Sequence, residues 1–144
     1  MNDVTILIAE DDEGHAYLIK RNLVKAGVTN PIMHFFDGEQ LLEYLYSIAE
    51  KEIEHVHKSF VLLLDIRMPK IDGIEVLKRI RCHERLQSLP VIILTTADDP
   101  REKQRCHTLG CSSYMTKPMD YESFVSTIKQ LSRFINSMPS PELN

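Results

Sequence analysis

The sequence predicts an α/β fold in which a parallel sheet of five strands is covered by helices on both faces. Two observations carry this prediction. Five short apolar runs alternate with stretches of helical character, which is the pattern of repeated strand–helix units. The three longest runs are apolar without alternation, as expected for strands that are buried on both sides.

Apolar runs and cap signals locate the elements along the chain. The predicted strands are Val4 to Ala9, Ile32 to Phe36, Phe60 to Leu64, Val91 to Leu94, and Tyr114 to Met115. Helical spacing defines three apolar faces, made of Ala16, Ile19, Leu23 and Ala26, of Ile74, Leu77 and Ile80, and of Tyr121, Phe124, Ile128, Leu131 and Ile135. Helix starts are indicated by capping-box pairs, namely Asp37 with Gln40, Asp72 with Glu75, and Asp99 with Glu102.

The fourth helix, predicted from Pro100 to Leu109, has few apolar anchors. Proline suits the first turn of a helix, and Gly110 suits the position just past the end. Within the helix, only Cys106 and Leu109 are clearly apolar. We therefore expect a helix that can shift at a low cost in free energy.

Length and composition favour a single domain. The chain has 144 residues, of which 43% are hydrophobic and 26% are charged, as in ordinary globular proteins. We expect one domain over residues 1–144, with a core from about residue 4 to residue 135 and a flexible tail from 136 to 144. The formal net charge is −4 and the basic residues are scattered, which argues against direct binding to nucleic acid.

Targeting signals and cysteine usage point to the cytoplasm. No apolar run approaches the ~20 residues that cross a bilayer, and the first apolar run lacks the basic residues that precede it in a signal peptide. We therefore expect no membrane partner. Three cysteines, Cys82, Cys106 and Cys111, form an odd set without framework spacing, which predicts reduced thiols.

Polar side chains directly follow four of the five predicted strands. They are Glu10, Asp11 and Asp12, then Asp65, then Thr95 and Thr96, and finally Lys117. In an open parallel sheet, the carboxyl ends of the strands meet at one crevice, where ligands bind. Several carboxylates in one crevice repel each other, and an oxygen-only ligand set of this kind suits Mg²⁺.

Phosphoryl transfer is the chemistry that this set of groups favours. A metal ion and Lys117 would neutralise the charge of a phosphoryl group, and the Thr95 hydroxyl would donate a hydrogen bond to it. Asp65 would then act as the nucleophile that carries the group as an acyl phosphate.

Four motifs, ILIAED, LLLDIRMPKIDG, PVIILTTA and YMTKP, occur in this order. With these motifs, the sequence resembles a bacterial response-regulator receiver domain, the phosphoacceptor half of a two-component signalling pair. The likeness covers residues 4 to about 135. It implies a flavodoxin-like (βα)5 fold with the strand order 2-1-3-4-5.

The resemblance also implies roles for individual residues. Asp65 would be the phosphorylated aspartate, and Lys117 would pair with the phosphate. Glu10 and Asp11 would hold Mg²⁺ directly or through water, together with Asp65 and the backbone carbonyl of Arg67. The protein would catalyse its own phosphorylation and dephosphorylation without being a turnover enzyme.

Three further positions match the switch of the family. Thr95 would reorient towards the phosphoryl group, and Tyr114 would turn inward on activation. Pro118 would follow a cis peptide bond that aims Lys117 into the site. The implied partners are a sensor histidine kinase and a second copy of the chain, bound through the fourth helix, fifth strand and fifth helix.

The segment from Ser47 to Ser59 is longer than in minimal receivers and is charged. It predicts either an extended helix or a surface loop, and it could serve kinase docking or dimerisation. Together with TTADD and GCSSYMTKPMDYESF, it resembles the single-domain receivers that partner phytochrome-class histidine kinases. No output domain follows in the sequence, so we expect signalling through protein contact.

Several alternative interpretations compete with these assignments. Asp12 could be a third metal ligand, but a helix N-cap is the preferred interpretation, as it is for Asp72. CHE and CHTLGC lack the paired spacing of zinc sites. A flavin-binding protein would not place three acidic residues where a phosphate binds, and an aspartate-nucleophile phosphatase would carry an acid where Arg67 stands. A receiver-like module that is never phosphorylated and a phosphorelay intermediate remain open.

Two residues bear on the lifetime of the phosphorylated state. Arg67 and Ala97 stand two residues after Asp65 and Thr95, at positions that influence the hydrolytic water in the family. Neither side chain is suited to orienting water. We therefore predict slow self-dephosphorylation.

Overall fold

The computed structural model describes residues 4–51 and 59–138, and within them five strands alternate with five helices. The strands are β1 Thr5–Ala9, β2 Ile32–Phe35, β3 Phe60–Leu64, β4 Val91–Thr95 and β5 Ser113–Thr116. The helices are α1 Glu13–Lys25, α2 Gly38–Glu50, α3 Gly73–Cys82, α4 Pro100–Thr108 and α5 Tyr121–Ser137. Every predicted strand is confirmed, with bounds that differ by at most one residue.

The five strands form one sheet in the order β2-β1-β3-β4-β5, and every neighbouring pair is parallel. This confirms the predicted flavodoxin-like architecture. Ala9 at the end of β1 is in register with Phe35 on one side and with Leu64 on the other. The residues that follow these positions therefore emerge side by side at one edge of the sheet.

Both faces of the sheet are buried, which explains the unalternating strands. Leu7 and Ala9 of β1 pack into one core with α2 and α3, whereas Ile6 and Ile8 pack into a second core with α1 and α5. All five residues of β3 are buried, and so are all five of β4. Strands that face helices on both sides are therefore apolar over almost their whole length, and the polar Thr95 stands at the end of β4.

Aspartate side chains cap the helices as the sequence predicts. The Asp12 carboxylate accepts a hydrogen bond from the backbone N–H of His15 at 3.0 Å, and Asp72 accepts one from Glu75 at 2.9 Å. These bonds satisfy amide groups that have no partner within the helix. The N-cap interpretation of Asp12 is confirmed.

Two local predictions are wrong, and a third is only partly met. Tyr121 does not belong to the buried face of α5, because it opens the helix at the surface and is 51% exposed. Peptide bonds are trans throughout residues 4–51 and 59–138, so the expected cis bond before Pro118 is wrong. Lys117 is oriented instead by its backbone N–H, which donates to Thr95 O at 2.7 Å. Ala26 caps the end of α1 and is only partly buried.

The predicted surface segments lie partly outside the described residues. Helix α2 continues to Glu50, so residues 47–50 of the charged segment are helical, and residues 52–58 lie outside the described part. Helix α5 includes residues 136 and 137, and residues 139–144 of the expected tail also lie outside it. Within the ranges 4–51 and 59–138, no helix has the length and apolar character needed to span a membrane.

Candidate functional site

The ends of β1, β3, β4 and β5 bring the predicted site residues to one crevice. Glu10 is held in place by its N–H, which donates to Phe35 O at 3.0 Å, and Asp65 by its N–H, which donates to Ala9 O at 3.1 Å. Glu10, Asp65, Thr95 and Lys117 are all buried. Asp11 is exposed at the rim of the crevice.

Lys117 contacts three acceptors that come from three different segments, namely the end of β1, the end of β3 and the first turn of α1. Its Nζ donates to Glu10 Oε1 and, at 3.1 Å, to Asp65 Oδ2. A third neighbour, His15 Nδ1, lies 3.2 Å from the same nitrogen. An ammonium group has three donors and no acceptor, so His15 receives such a bond when its Nδ1 carries the lone pair.

Burial shifts the protonation of Glu10. It raises the pKa of the Glu10 carboxyl from 4.5 to about 7, although the hydrogen bond and charge of Lys117 act in the opposite direction. The nearby charge of Asp65 adds to the increase. A single lysine therefore does not fully compensate two buried carboxylates, and a further cation would favour their ionised forms.

The acidic residues fit a divalent metal ion. One carboxylate oxygen each of Glu10, Asp11 and Asp65 lies within 4.8 Å of the other two. Asp65 Oδ1 is buried and has no hydrogen-bond partner among the described residues, whereas Oδ2 is taken by Lys117. An unpaired buried carboxylate oxygen is costly unless another group binds it. Because all the ligand atoms are oxygens, the cluster suits a hard cation such as Mg²⁺.

Gly73 shapes the backbone behind Asp65. Its N–H donates to Ile66 O at 2.8 Å, which closes the loop after β3 onto the start of α3. A Cβ atom at this position would overlap with the carbonyl oxygen of Asp65 and would lie 2.8 Å from Ile66 Cα. The site therefore requires glycine for close backbone approach.

Thr95 and Tyr114 are connected through the backbone of a single residue. The N–H of Ala97 donates to Thr95 Oγ1 at 3.2 Å, and Tyr114 Oη donates to the carbonyl oxygen of Ala97 at 3.1 Å. If Thr95 moves, the β4–α4 loop loses one hydrogen bond, and the position of the tyrosine hydroxyl changes through Ala97. The sequence predicts switch roles for both residues but does not indicate this link.

Helix α4 lies over the ring of Tyr114. Lys103 Nζ is 5.8 Å from the centre of the ring, and the imidazole of His107 is 6.4 Å from it. Partial burial raises the pKa of the Tyr114 hydroxyl. Within α4 itself only Cys106 is fully buried, in agreement with the weak anchoring that the sequence predicts.

Arg67 does not point its guanidinium group into the crevice but pairs with α4. Its Nη1 and Nη2 donate to the two carboxylate oxygens of Glu102 at 2.8 and 2.7 Å. This bidentate pair connects the loop after β3 to the first turn of α4. The sequence pattern predicts a capping box for Glu102 and does not indicate this pair.

His15 is the site residue that sequence reasoning undervalued, because a single histidine at the start of a helix has no distinctive pattern. One signal was available, since His15 stands three residues after the N-cap Asp12 and therefore in the first turn of α1, next to the acidic residues. A cavity of about 340 Å³ opens beside it, lined by Thr96, Met119 and Phe124 as well as by Lys117 and His15.

Known proteins match almost the whole chain. The family described as "Response regulator receiver domain" matches residues 6–129. A response regulator receiver domain from Rhodospirillum rubrum is 43% identical, covers 96% of this chain and 98% of its own, and has a TM-score of 0.87. FilR2 of Methanothrix harundinacea, named as a probable methanogenesis regulatory protein, is 34% identical over 94% of this chain and 88% of its own length.

A third relative is a phytochrome response regulator. The phosphorylated cyanobacterial phytochrome response regulator RcpA is 27% identical, covers 95% of this chain and 96% of its own, and has a TM-score of 0.80. Against several other curated relatives, the chain spans about half of their length or less.

Proposed function

This chain belongs to the response regulator receiver domain family, and we propose that it accepts a phosphoryl group from a sensor histidine kinase on Asp65. Receiver domains are signalling modules of two-component systems, and phosphorylation and Mg²⁺ binding are typical of them. The observation that carries the proposal is the state of the Asp65 carboxylate, which is buried with one oxygen bound to Lys117 and the other unpaired among the described residues.

The reaction is the attack of an Asp65 carboxylate oxygen on the phosphorus of a phosphohistidine. An O–P bond forms, the P–N bond breaks, and its electron pair leaves with the imidazole of the donor, which takes up a proton. Lys117 lies where it can exchange its hydrogen bond to Asp65 for one to a phosphoryl oxygen. The Thr95 hydroxyl can donate a hydrogen bond to the phosphoryl group once it no longer accepts the bond from the Ala97 N–H. The cavity beside Lys117 provides an approach for the donor.

Mg²⁺ is proposed as the cofactor, and when bound it neutralises charge on the phosphoryl oxygens. Asp11 and Asp65 Oδ1 would bind it, with Glu10 acting directly or through water and the carbonyl oxygen of Arg67 completing the protein ligands. Both Glu10 oxygens already accept bonds, from Lys117 and from the N–H of Asp12 at 3.2 Å. This occupancy favours the indirect role for Glu10.

Incubation with phosphoramidate tests the proposal, with Mg²⁺ or with a chelator present. Intact mass should increase by one phosphoryl group in the wild type with Mg²⁺ and not in Asp65→Asn. Asp37→Asn is the matched control, since Asp37 is also buried and asparagine can still cap α2. Labelling of Asp65→Asn, or labelling without metal, would contradict the assignment. No labelling of the wild type would favour the unphosphorylated interaction module.

The kinase is proposed to be of the phytochrome class, supported by the likeness to RcpA. Transfer from a panel of phosphorylated kinases tests this, and equal rates from phytochrome-class and other kinases would contradict it. A phosphorelay intermediate would in addition pass its label on to a histidine of a second protein. Loss of label only to water would argue against that role.

Signal output is proposed to run through a dimer on the face of α4, β5 and α5. The support is the arrangement at Tyr114, where the switch residue of β5 lies under α4. Light scattering with and without beryllofluoride measures the effect on mass. A monomer in both states would contradict dimerisation by this route.

A further inference from the structure

We propose that Glu102 is a positioning residue whose ion pair with Arg67 clamps α4 to the loop after β3, and that phosphorylation of Asp65 releases this clamp. The inference deepens the proposed function and rests on it, because Asp65 is the phosphoacceptor. The clamp assigns to Glu102 a regulatory role in the switch.

The geometry of the pair is that of a specific contact. Two guanidinium nitrogens of Arg67 face two carboxylate oxygens of Glu102 at 2.8 and 2.7 Å, which is the bidentate arrangement that gives the strongest charge-assisted hydrogen bonds. The Arg67 side chain is 62% exposed and that of Glu102 is 18% exposed. Solvent therefore screens the pair, which makes it a contact of modest strength that can open reversibly.

Glu102 stabilises a tertiary contact rather than the start of its own helix. The sequence places it three residues after the N-cap Asp99, where a glutamate can reach back to the cap. In the structure, Asp99 Oδ1 accepts from the N–H of Arg101 at 2.8 Å, and the Glu102 carboxylate turns to Arg67. Because α4 buries only Cys106 fully, this ion pair carries a larger share of its attachment than an exposed pair usually does.

Charge explains why phosphorylation would open the clamp. A phosphoryl group carries about −1.5 to −2 charges and replaces the single charge of the Asp65 carboxylate, so the site two residues from Arg67 along the chain becomes more negative. It would therefore compete with Glu102 for the guanidinium group. Release would free α4 above Tyr114, which is the movement that the switch requires. If the Arg67–Glu102 pair exists only in the resting state, it stabilises that state. By linkage, the pair then weakens the binding of any ligand that favours the active state.

The test compares Glu102→Ala with Glu75→Ala, a closely matched control. Glu75 also stands three residues after an N-cap aspartate, and it also pairs with an arginine, Arg79, at 2.9 Å. Both glutamates line the same groove of about 270 Å³ between α3 and α4. The difference is that Arg79 belongs to the same helix as Glu75, so their ion pair does not connect α3 to another element.

One measurement tests whether the ion pair holds α4, and a second tests whether activation releases it. Hydrogen exchange of the α4 amides in the ligand-free protein should be faster in Glu102→Ala and unchanged in Glu75→Ala. With Mg²⁺, the beryllofluoride concentration that half-saturates Glu102→Ala should be about fivefold lower than for the wild type. Arg67→Ala breaks the pair from the other side, keeps the carbonyl group of residue 67, and should speed α4 exchange in the same way.

Each outcome decides part of the proposal. Unchanged α4 exchange in Glu102→Ala and Arg67→Ala would overturn the clamp. Faster exchange with an unchanged half-saturating concentration in Glu102→Ala would make the pair purely structural and overturn its release by phosphorylation. If the wild type binds no beryllofluoride, the proposed function and the release step both fail, and exchange in the ligand-free protein still decides the clamp.

Discussion

His15 Nδ1 lies 3.2 Å from Lys117 Nζ, although 102 residues separate the two in the chain. The backbone of His15 is held in the first turn of α1, because its N–H donates to the side chain of the N-cap Asp12 at 3.0 Å. When its Nδ1 carries the lone pair, the imidazole gives Lys117 a third acceptor beside the two carboxylates. The helix cap at Asp12 therefore indirectly fixes the position of the lysine that is proposed to bind phosphate.

We expect His15→Ala to slow phosphorylation by a small phosphodonor about twofold to tenfold, the range that ~0.5–1.5 kcal/mol for one hydrogen bond implies. Lys117 loses one of three acceptors and is less well oriented. Time courses of intact mass measure the rate. Glu13→Ala, which changes an exposed residue on the same turn, is the control, and equal rates for the two variants would refute the role of His15.

Lys117→Met should destabilise the metal-free protein by about 3–5 kcal/mol, because it leaves Glu10 and Asp65 buried without their cation. Mg²⁺ should restore part of this loss. Urea unfolding with and without Mg²⁺ measures both effects. In the control Lys70→Met, a partly exposed pair with Asp37 at 3.6 Å is lost, and less than about 1 kcal/mol is expected. A metal-free Lys117→Met protein as stable as the wild type would contradict this prediction.

The apparent affinity for Mg²⁺ should fall as the pH is lowered from about 7 towards 5. Burial raises the pKa of Glu10 to about 7, so below this pH the carboxyl is mostly protonated. The proton must leave before the carboxylate can favour a cation, and the affinity for Mg²⁺ therefore decreases with decreasing pH. Calorimetry in two buffers with different ionisation heats reports the released proton. Glu10→Gln should flatten the dependence over this range, and an equally steep dependence in that variant would show that another group is responsible.

Gly73→Ala should lower the free energy of unfolding by about 1–3 kcal/mol, because the new Cβ overlaps with the backbone of Asp65. Phosphorylation should slow as well, since Asp65 must shift. Urea unfolding and phosphodonor labelling measure the two effects. Gly14→Ala is the control, because Gly14 is exposed in α1 and the nearest atom to its Cβ would be Asp12 Oδ1 at 3.1 Å. Similar losses in both variants would exclude the close approach as the cause.

The phosphorylated protein should keep its label for minutes or longer. The Arg67 guanidinium has only donors and cannot accept a hydrogen bond from an attacking water, and Ala97 has no polar side chain, so neither orients a hydrolytic water. Loss of label from the isolated phosphoprotein in Mg²⁺ measures the lifetime, and a half-life of a few seconds would contradict the prediction. Ala97→Gln supplies an amide that can hold water and should shorten the lifetime, whereas Ala97→Leu should not.

Much of the fold could be predicted because the apolar residues of each buried strand indicate that helices cover it on both faces. A strand covered on both faces must be apolar throughout, and Phe60–Leu64 meets this condition residue by residue. The polar residues at strand ends were equally predictable, since the parallel topology brings them together. The prediction that Tyr121 is buried was wrong because helical periodicity does not indicate where a helix leaves the core. The prediction of a cis bond before Pro118 was wrong because the two residues at the bond do not by themselves determine its isomer.

The sequence by itself determined the parallel fold and the residues that meet at the end of the sheet, and its resemblance to a known family implied the order of the strands. Tertiary structure alone decided which partner each charged side chain takes, Lys117 with His15 and Arg67 with Glu102. The physical reason is distance. Secondary structure depends on neighbours a few residues apart, whereas these pairs are separated by 102 and 35 residues and exist only once the helices are packed on the sheet.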